Sequence, residues 1–152
     1  MLLSELLSVD RVKVPLGSRT KIDVLQELVG LVAEGRTALN AGPILAAVCE
    51  RETVLSTGIG AGIAIPHGRT PLVDQLVVAA GVAGSPIDYE ALDGKPVRLF
   101  FLLVGPESAS GAHVKALSRI SRLLRRDQFR QQLLAASTPE AFLDIIRSSE
   151  AA

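Results

Sequence analysis

Apolar residues recur in two rhythms along this chain, and the change of rhythm divides it into three parts. Leu2, Leu3, Leu6 and Leu7 follow helical spacing and predict a short opening helix. Val12 and Val14 alternate with polar neighbours and predict an edge strand ending at Pro15. Ser18 or Thr20 can cap a second helix, whose Ile22, Leu25, Leu28, Val29 and Val32 form one apolar stripe and whose stop is Gly35. A third helix starts near Asn40 and tolerates Pro43 in its first turn. It buries Ile44, Ala47 and Val48 and carries Arg51 at the far end of the same face.

Residues 57–68 break that rhythm. Gly58, Gly60, Gly62 and Gly68 punctuate the segment, and residues 63–65 read as a short strand. Pro66 has no N–H to donate and ends the pairing, which predicts His67 on a turn at a strand exit. Residues 76–82 and 97–104 read as buried strands, with Asp93-Gly94 in the turn before the second. Helical spacing then returns. Ser110 can cap a helix bearing Val114, Leu117, Ile120 and Leu124, and residues 128–135 suggest another. Thr138 as cap, with Pro139 at the first helical position, starts a last one over residues 140–146. Helices, then strands, then helices again predict an α+β fold: an α/β/α sandwich with a mixed β-sheet flanked by helices. With no repeat and no long linker, residues 1–152 read as a single domain.

Composition narrows the functions such a fold could serve. The core is aliphatic, with no Trp and one Tyr, so platforms for stacking nucleic-acid bases are scarce. Sixteen Lys and Arg balance sixteen Asp and Glu, leaving no global field to steer the chain to nucleic acid or an acidic membrane. One cysteine, Cys49, excludes an internal disulfide and a cysteine-based zinc cage. The first residues lack a basic region, and the longest apolar run, residues 99–104, is far too short to span a bilayer. The expectation is a cytoplasmic protein with no membrane insertion.

Two histidines are the sharpest candidates for chemistry. A neutral imidazole, with an ordinary pKa of about 6.5, can attack phosphorus, hold the group as a phosphoramidate and release it. Glycines beside His67 let backbone N–H groups approach phosphate oxygens. The plainer alternative is a loop histidine with an ordinary hydrogen bond. His113 shares a helix face with Leu117, Ile120 and Leu124 and should point inward, near a helix N-terminus that favours anions. It could orient His67 or bond a phosphoryl oxygen, or it could simply be a satisfied core histidine. The guanidinium of Arg51 suits phosphate, although an ion pair with Glu52 or Glu90 would also satisfy it. Ser56 and Arg69 lie close enough in sequence to assist, or to be plain surface. Lys115, Arg119, Arg122 and Arg126, with Arg125 beside them, make a basic stripe that could dock an acidic partner or contact nucleic acid, but that reads first as a solvated helix face. The glycine run lacks the third glycine of a dinucleotide loop and the Lys-Ser/Thr of a P-loop. No ligand spacing supports a metal site.

The stretch Ser56-Thr57-Gly58-Ile59-Gly60-Ala61-Gly62-Ile63-Ala64-Ile65-Pro66-His67-Gly68 resembles the active-site segment of the type-2 EIIA domains. These serve the bacterial phosphoenolpyruvate-dependent phosphotransferase system, in its fructose, mannitol and nitrogen-regulatory branch. The likeness extends to Arg51-Glu52, to Ile87-Asp88-Tyr89, to Ala91-Leu92-Asp93-Gly94-Lys95-Pro96-Val97, and to Phe101-Leu102-Leu103-Val104-Gly105-Pro106 with His113 beyond. It implies phosphorylation of His67 by the phosphohistidine of HPr or its nitrogen-branch relative. It implies further that His113 and Arg51 are active-site partners and that no cofactor is needed. Gly58, Gly60, Gly62, Gly68, Ser56 and Arg69 would then contact the phosphate. Ala61 and Arg69 depart from the family, which often has a polar residue and a lysine there.

Within that reading two uses compete. One is regulation, where the two phosphorylation states bind different target proteins; the Pro-His-Gly sequence and a chain without a fused domain lean this way. The other is sugar uptake, handing the group to an EIIB domain. A binding module that has lost transfer and a metal-assisted hydrolase are the rivals of other classes. No nucleic-acid partner is expected, and the chain would be a monomer or a homodimer.

Overall fold

Two long strands carry the sheet. β5 (Val77–Ile87) and β6 (Val97–Gly105) pair antiparallel, and both are buried on both faces over most of their length. Near-continuous Val, Ala, Leu and Phe runs fit strands covered on two sides. The computed structural model describes residues 2–33 and 41–151. Its remaining strands are β1 (Val12–Leu16), β2 (Gly58–Gly60), β3 (Ile63–Ala64) and β4 (His67–Arg69). Its helices are α1 (Leu3–Leu6), α2 (Lys21–Ala33), α3 (Ala41–Val54), α4 (Ser110–Leu124), α5 (Asp127–Ala135) and α6 (Pro139–Ala151). The predicted stop at Gly35 and start near Asn40 lie outside the described residues.

The sheet runs β1-β5-β6-β3-β2, with β4 also paired to β6. β1 is parallel to β5, β3 and β4 are parallel to β6, and β2 is antiparallel to β3. The predicted mixed sheet between helices is therefore present. Alternation sorts the side chains of β6 into two cores. Leu99, Phe101 and Leu103 pack with α1, α4, α5 and α6, while Phe100, Leu102 and Val104 pack with α2 and α3. Thr20 caps α2 by accepting from the Asp23 N–H at 3.3 Å, and Thr138 caps α6 through Ala141 N–H at 3.1 Å.

Several expectations change. β5 runs on to Ile87, past a Gly84-Ser85-Pro86 stretch that reads as a breaker in sequence, with a register break between Val82 and Ile87. Ser110 is the first residue of α4 rather than its cap, and its hydroxyl donates to the Glu107 carbonyl at 2.7 Å. Ile22 is 49% exposed and Val114 58% exposed, so neither joins its helix's buried face. The buried row of α4 is His113, Ala116, Ile120, Leu123 and Leu124; Val114 is turned about 100° from it.

Gly81 is a position the pattern did not single out. A Cβ there would lie 2.6 Å from the Lys13 carbonyl oxygen and 2.8 Å from Leu16 Cγ, where β1 pairs with β5. Gly81→Ala is expected to destabilise the fold by about 2–3 kcal/mol, read by chemical denaturation. An unchanged midpoint would mean that β1 yields freely.

Candidate functional site

Three residues of strand set the site's orientation. In β4, His67, Gly68 and Arg69 pair with Leu103, Val104 and Gly105 of β6. Leu103 belongs to the α4 side of the sheet and Val104 to the α3 side. His67 and Arg69 therefore face α4, and Gly68 faces α3. A Cβ on Gly68 would stand 3.1 Å from both Val48 Cγ2 and the Val48 nitrogen, so glycine is what allows α3 to lie against β4. His67 is thus in a strand, not on the turn the sequence predicts. Pro66 lacks an N–H, but its carbonyl still accepts from the Leu103 N–H at 3.0 Å and keeps the ladder going.

The His67 ring is half-buried, and its Nδ1 meets the Ile65 carbonyl at 2.9 Å. A carbonyl only accepts, so Nδ1 carries the proton and Nε2 keeps the lone pair. His113 comes from α4 and packs edge-on, with ring centroids 5.6 Å apart and planes at 65°. It is 1% exposed, and neither of its nitrogens has a hydrogen-bond partner among the described residues. Gly105 leaves room for Leu76: a Cβ there would come 2.4 Å from Leu76 Cδ2, while at 3.6 Å from His113 Nδ1 it would only touch the ring. Arg69 donates from Nη1 to the Ser110 hydroxyl at 3.1 Å, tying β4 to the start of α4.

Both imidazoles are biased toward the neutral form. Burial lowers the pKa of His67 below its ordinary value, with Arg51 and Arg69 pressing the same way, while the Ile65 carbonyl and Glu52 oppose them. Burial, then His67 and Arg69, push His113 down to about 4. As pH falls below the ordinary 6.5, the unfolded chain takes up a proton that folded His113 refuses. Stability is therefore full above that pH and is lost as pH drops toward 4, by roughly 3 kcal/mol from this group. The difference between the wild type and His113→Phe in pH-dependent denaturation measures it. A constant difference across that window would contradict a neutral buried imidazole.

Arg51 is on the last turn of α3, half-exposed, and donates to the Leu55 carbonyl at 2.8 Å. It forms no ion pair with Glu52 or Glu90. Glu52 is instead buried and accepts from the Thr57 N–H at 2.8 Å, from the Thr57 hydroxyl, and from the Tyr89 hydroxyl at 2.9 Å. Lys21 of α2 completes the group at 3.2 Å from the carboxylate and 4.5 Å from the Tyr89 ring centre. Burial alone would raise the Glu52 pKa, but the two Thr57 bonds, Tyr89 and Lys21 outweigh it and hold the group ionised. The network clamps the entry to the glycine segment, and the Thr57 carbonyl in turn accepts from the Ile65 N–H at 3.0 Å. In the sequence Glu52 stands out as a possible partner for Arg51 and as part of the family likeness, not as a buried acceptor. Its burial on a helix face was the missed signal.

The glycines serve the turn itself. Gly60 and Gly62 have φ of 101° and 76°, which a side chain resists. A Cβ on Gly58 would sit 2.7 Å from Ala91 Cβ. The Gly58 N–H already donates to the Ser56 hydroxyl at 3.1 Å, and the Ala61 N–H to Asp93 at 3.2 Å. The structure thus brings His67, His113 and Arg69 together on one face, with Arg51 within electrostatic reach. Gly58, Gly60, Gly62 and Gly68 have conformational or packing reasons to be glycine. Beside Ser56 a cleft of about 1000 Å³ opens between α2, α3 and residues 90–92, with exposed Ile22, Leu55 and Leu92 on its walls. Among the described residues no group of three metal-type side chains converges, and no helix is long and apolar enough to cross a membrane.

Comparison with known proteins identifies the class to which this mixed sheet between helices belongs. The chain belongs to the family described as the EIIA 2 component of the phosphoenolpyruvate-dependent sugar phosphotransferase system, whose model matches residues 5–149. It is 38% identical over 150 residues to a fructose-specific EIIABC component of Bacillus subtilis, covering 99% of this chain but 24% of that longer protein. It is 35% identical over 146 residues to a nitrogen regulatory protein of Bradyrhizobium diazoefficiens, covering 96% and 95% of the two chains. Among solved structures, nitrogen regulatory protein IIA-Ntr from Neisseria meningitidis superposes with a TM-score of 0.88 at 31% identity, covering 95% of this chain and 98% of that one.

Proposed function

We propose that this chain is a phosphoryl carrier, working as one cytoplasmic domain, that accepts the group on Nε2 of His67 from the phosphohistidine of HPr or a nitrogen-branch relative. The observation that carries the reading is the Nδ1–Ile65 bond at 2.9 Å, which leaves the other ring nitrogen nucleophilic. As Nε2 gives its pair to phosphorus, the P–N bond to the donor imidazole breaks, and its electron pair returns to that ring. Positive charge gathers on His67, and the Ile65 carbonyl stabilises it through Nδ1–H. His113, with unpaired nitrogens, and Arg51 and Arg69, with their charge, hold the phosphoryl oxygens. The Gly58 N–H is already given to the Ser56 hydroxyl, and Gly68 faces α3 from the β4–β6 ladder, so the holding of those oxygens is assigned to His113, Arg51 and Arg69. The low pKa of both imidazoles supports the reading, because a protonated His67 has no pair to give.

Of the two uses, we favour regulation through target proteins, on the likeness to nitrogen regulatory proteins over nearly the full length of both chains. The second reading, delivery to an EIIB domain for sugar uptake, has the fructose-specific relative in its favour. Neither needs a cofactor, nucleic acid or insertion into a membrane, and either is open to a monomer or a homodimer.

The test is incubation with enzyme I, HPr and its nitrogen-branch relative, and labelled phosphoenolpyruvate. Acid-labile, base-stable label on this chain is the expected result. No label in the presence of a donor that itself becomes phosphorylated would overturn the reading.

A further inference from the structure

We infer that the outer face of α4 and the link to α5 form a docking surface for an acidic segment of a partner protein. Residues 110–126 hold five cations and no carboxylate, while the chain as a whole is neutral, so the remainder is net acidic. The structure sorts those five. Arg119 is spent on Glu150 at 2.7 Å, and that carboxylate also accepts the Leu3 and Ser4 N–H groups that open α1. No acidic side chain among the described residues stands against Lys115, Arg122, Arg125 or Arg126. All four are exposed.

Two further observations set this face apart from an ordinary solvated helix. Arg126 occupies the N-cap of α5 and makes no side-chain cap bond. A cation there faces the positive end of the helix dipole, where Asp, Asn, Ser or Thr would have stabilised it. The position is therefore not explained by stability. The face is also not purely ionic: a shallow depression of about 370 Å³ is bounded by Val114, Lys115, Ser118, Arg119 and Arg122, with Val114 58% exposed. One exposed valine set among cations suits a peptide that offers carboxylates around an apolar side chain. Nucleic acid fits less well, because the neutral chain has no wider field to follow a phosphate backbone. Docking here does not depend on chemistry at His67, although His113 projects from the opposite face of the same helix.

The experiment uses fluorescence anisotropy with the full chain. The probes are a labelled peptide of mixed Glu and Leu, its Gln-for-Glu counterpart, and a DNA duplex of equal charge. The acidic peptide is expected to bind best. Its affinity is expected to fall about tenfold in the Arg122→Glu/Arg126→Glu double variant and several-fold in Arg122→Gln/Arg126→Gln, which reports if charge reversal impairs folding. Failure of the acidic peptide to bind, equal binding by the variants with unchanged melting, or tighter binding of the duplex would each overturn the inference.

Discussion

His67→Ala is expected to reduce phosphoryl uptake to background while leaving the protein folded. The substitution removes the one lone pair the site presents to a donor, since the neutral His113 ring is enclosed. His113 lies close enough to touch a phosphoryl group on His67, but a ring at 1% exposure cannot meet a donor protein in line. Transfer should therefore not be rerouted. The structural loss is small. His67 is half-buried at the end of a short strand, and its side chain makes a single bond, to the Ile65 carbonyl. Removing it costs about 1 kcal/mol, visible as a slight fall in melting temperature. Residual labelling of the variant at the wild-type rate would remove His67 from the mechanism.

The second large effect falls on stability. Glu52→Ala is expected to destabilise the protein by about 3–5 kcal/mol, because it strips a buried charged network of its acceptor. Three donors lose their partner at once: the Thr57 N–H, the Thr57 hydroxyl and the Tyr89 hydroxyl. The Lys21 ammonium also loses its carboxylate. For a chain of this size the shift in melting temperature is roughly 10 °C. Phosphoryl uptake should slow as well, because Thr57 holds the start of the glycine segment and, through the Ile65 N–H, the residue whose carbonyl orients His67. Glu52→Gln, which keeps the shape and loses the charge, should fall between. A melting temperature unchanged in Glu52→Ala would show that the network carries no net stability.

How far these features could be read beforehand depends on the range of the interaction that makes them. α2, α3, α4 and α6 follow from periodic apolar positions and from Thr20 and Thr138, because helices and caps are local. β4 was not legible. Pro66 and Gly68 look like a turn, and only pairing with the distant Leu103 to Gly105 stretch makes a strand of His67 to Arg69. Ile22 and Val114 fit apolar patterns yet face solvent, since spacing cannot say where a stripe's edge meets the surface. Of the candidate site, the two histidines were visible from residue type, and His113 from its helix face. The roles of Gly81 and Gly105 arise where segments distant in sequence lie side by side, which no single stretch records. The same holds for the pairing of Glu52 with Lys21 and Tyr89 rather than with Arg51.

The central claim is that phosphoryl transfer occurs at one nitrogen of one residue. Phosphorus–nitrogen correlation by NMR on the chain phosphorylated with nitrogen-15-labelled histidine reads this directly. The account predicts a single phosphorus resonance coupled to Nε2 of His67, with the Nδ1 proton retained. Coupling to Nδ1, or to either nitrogen of His113, would contradict it.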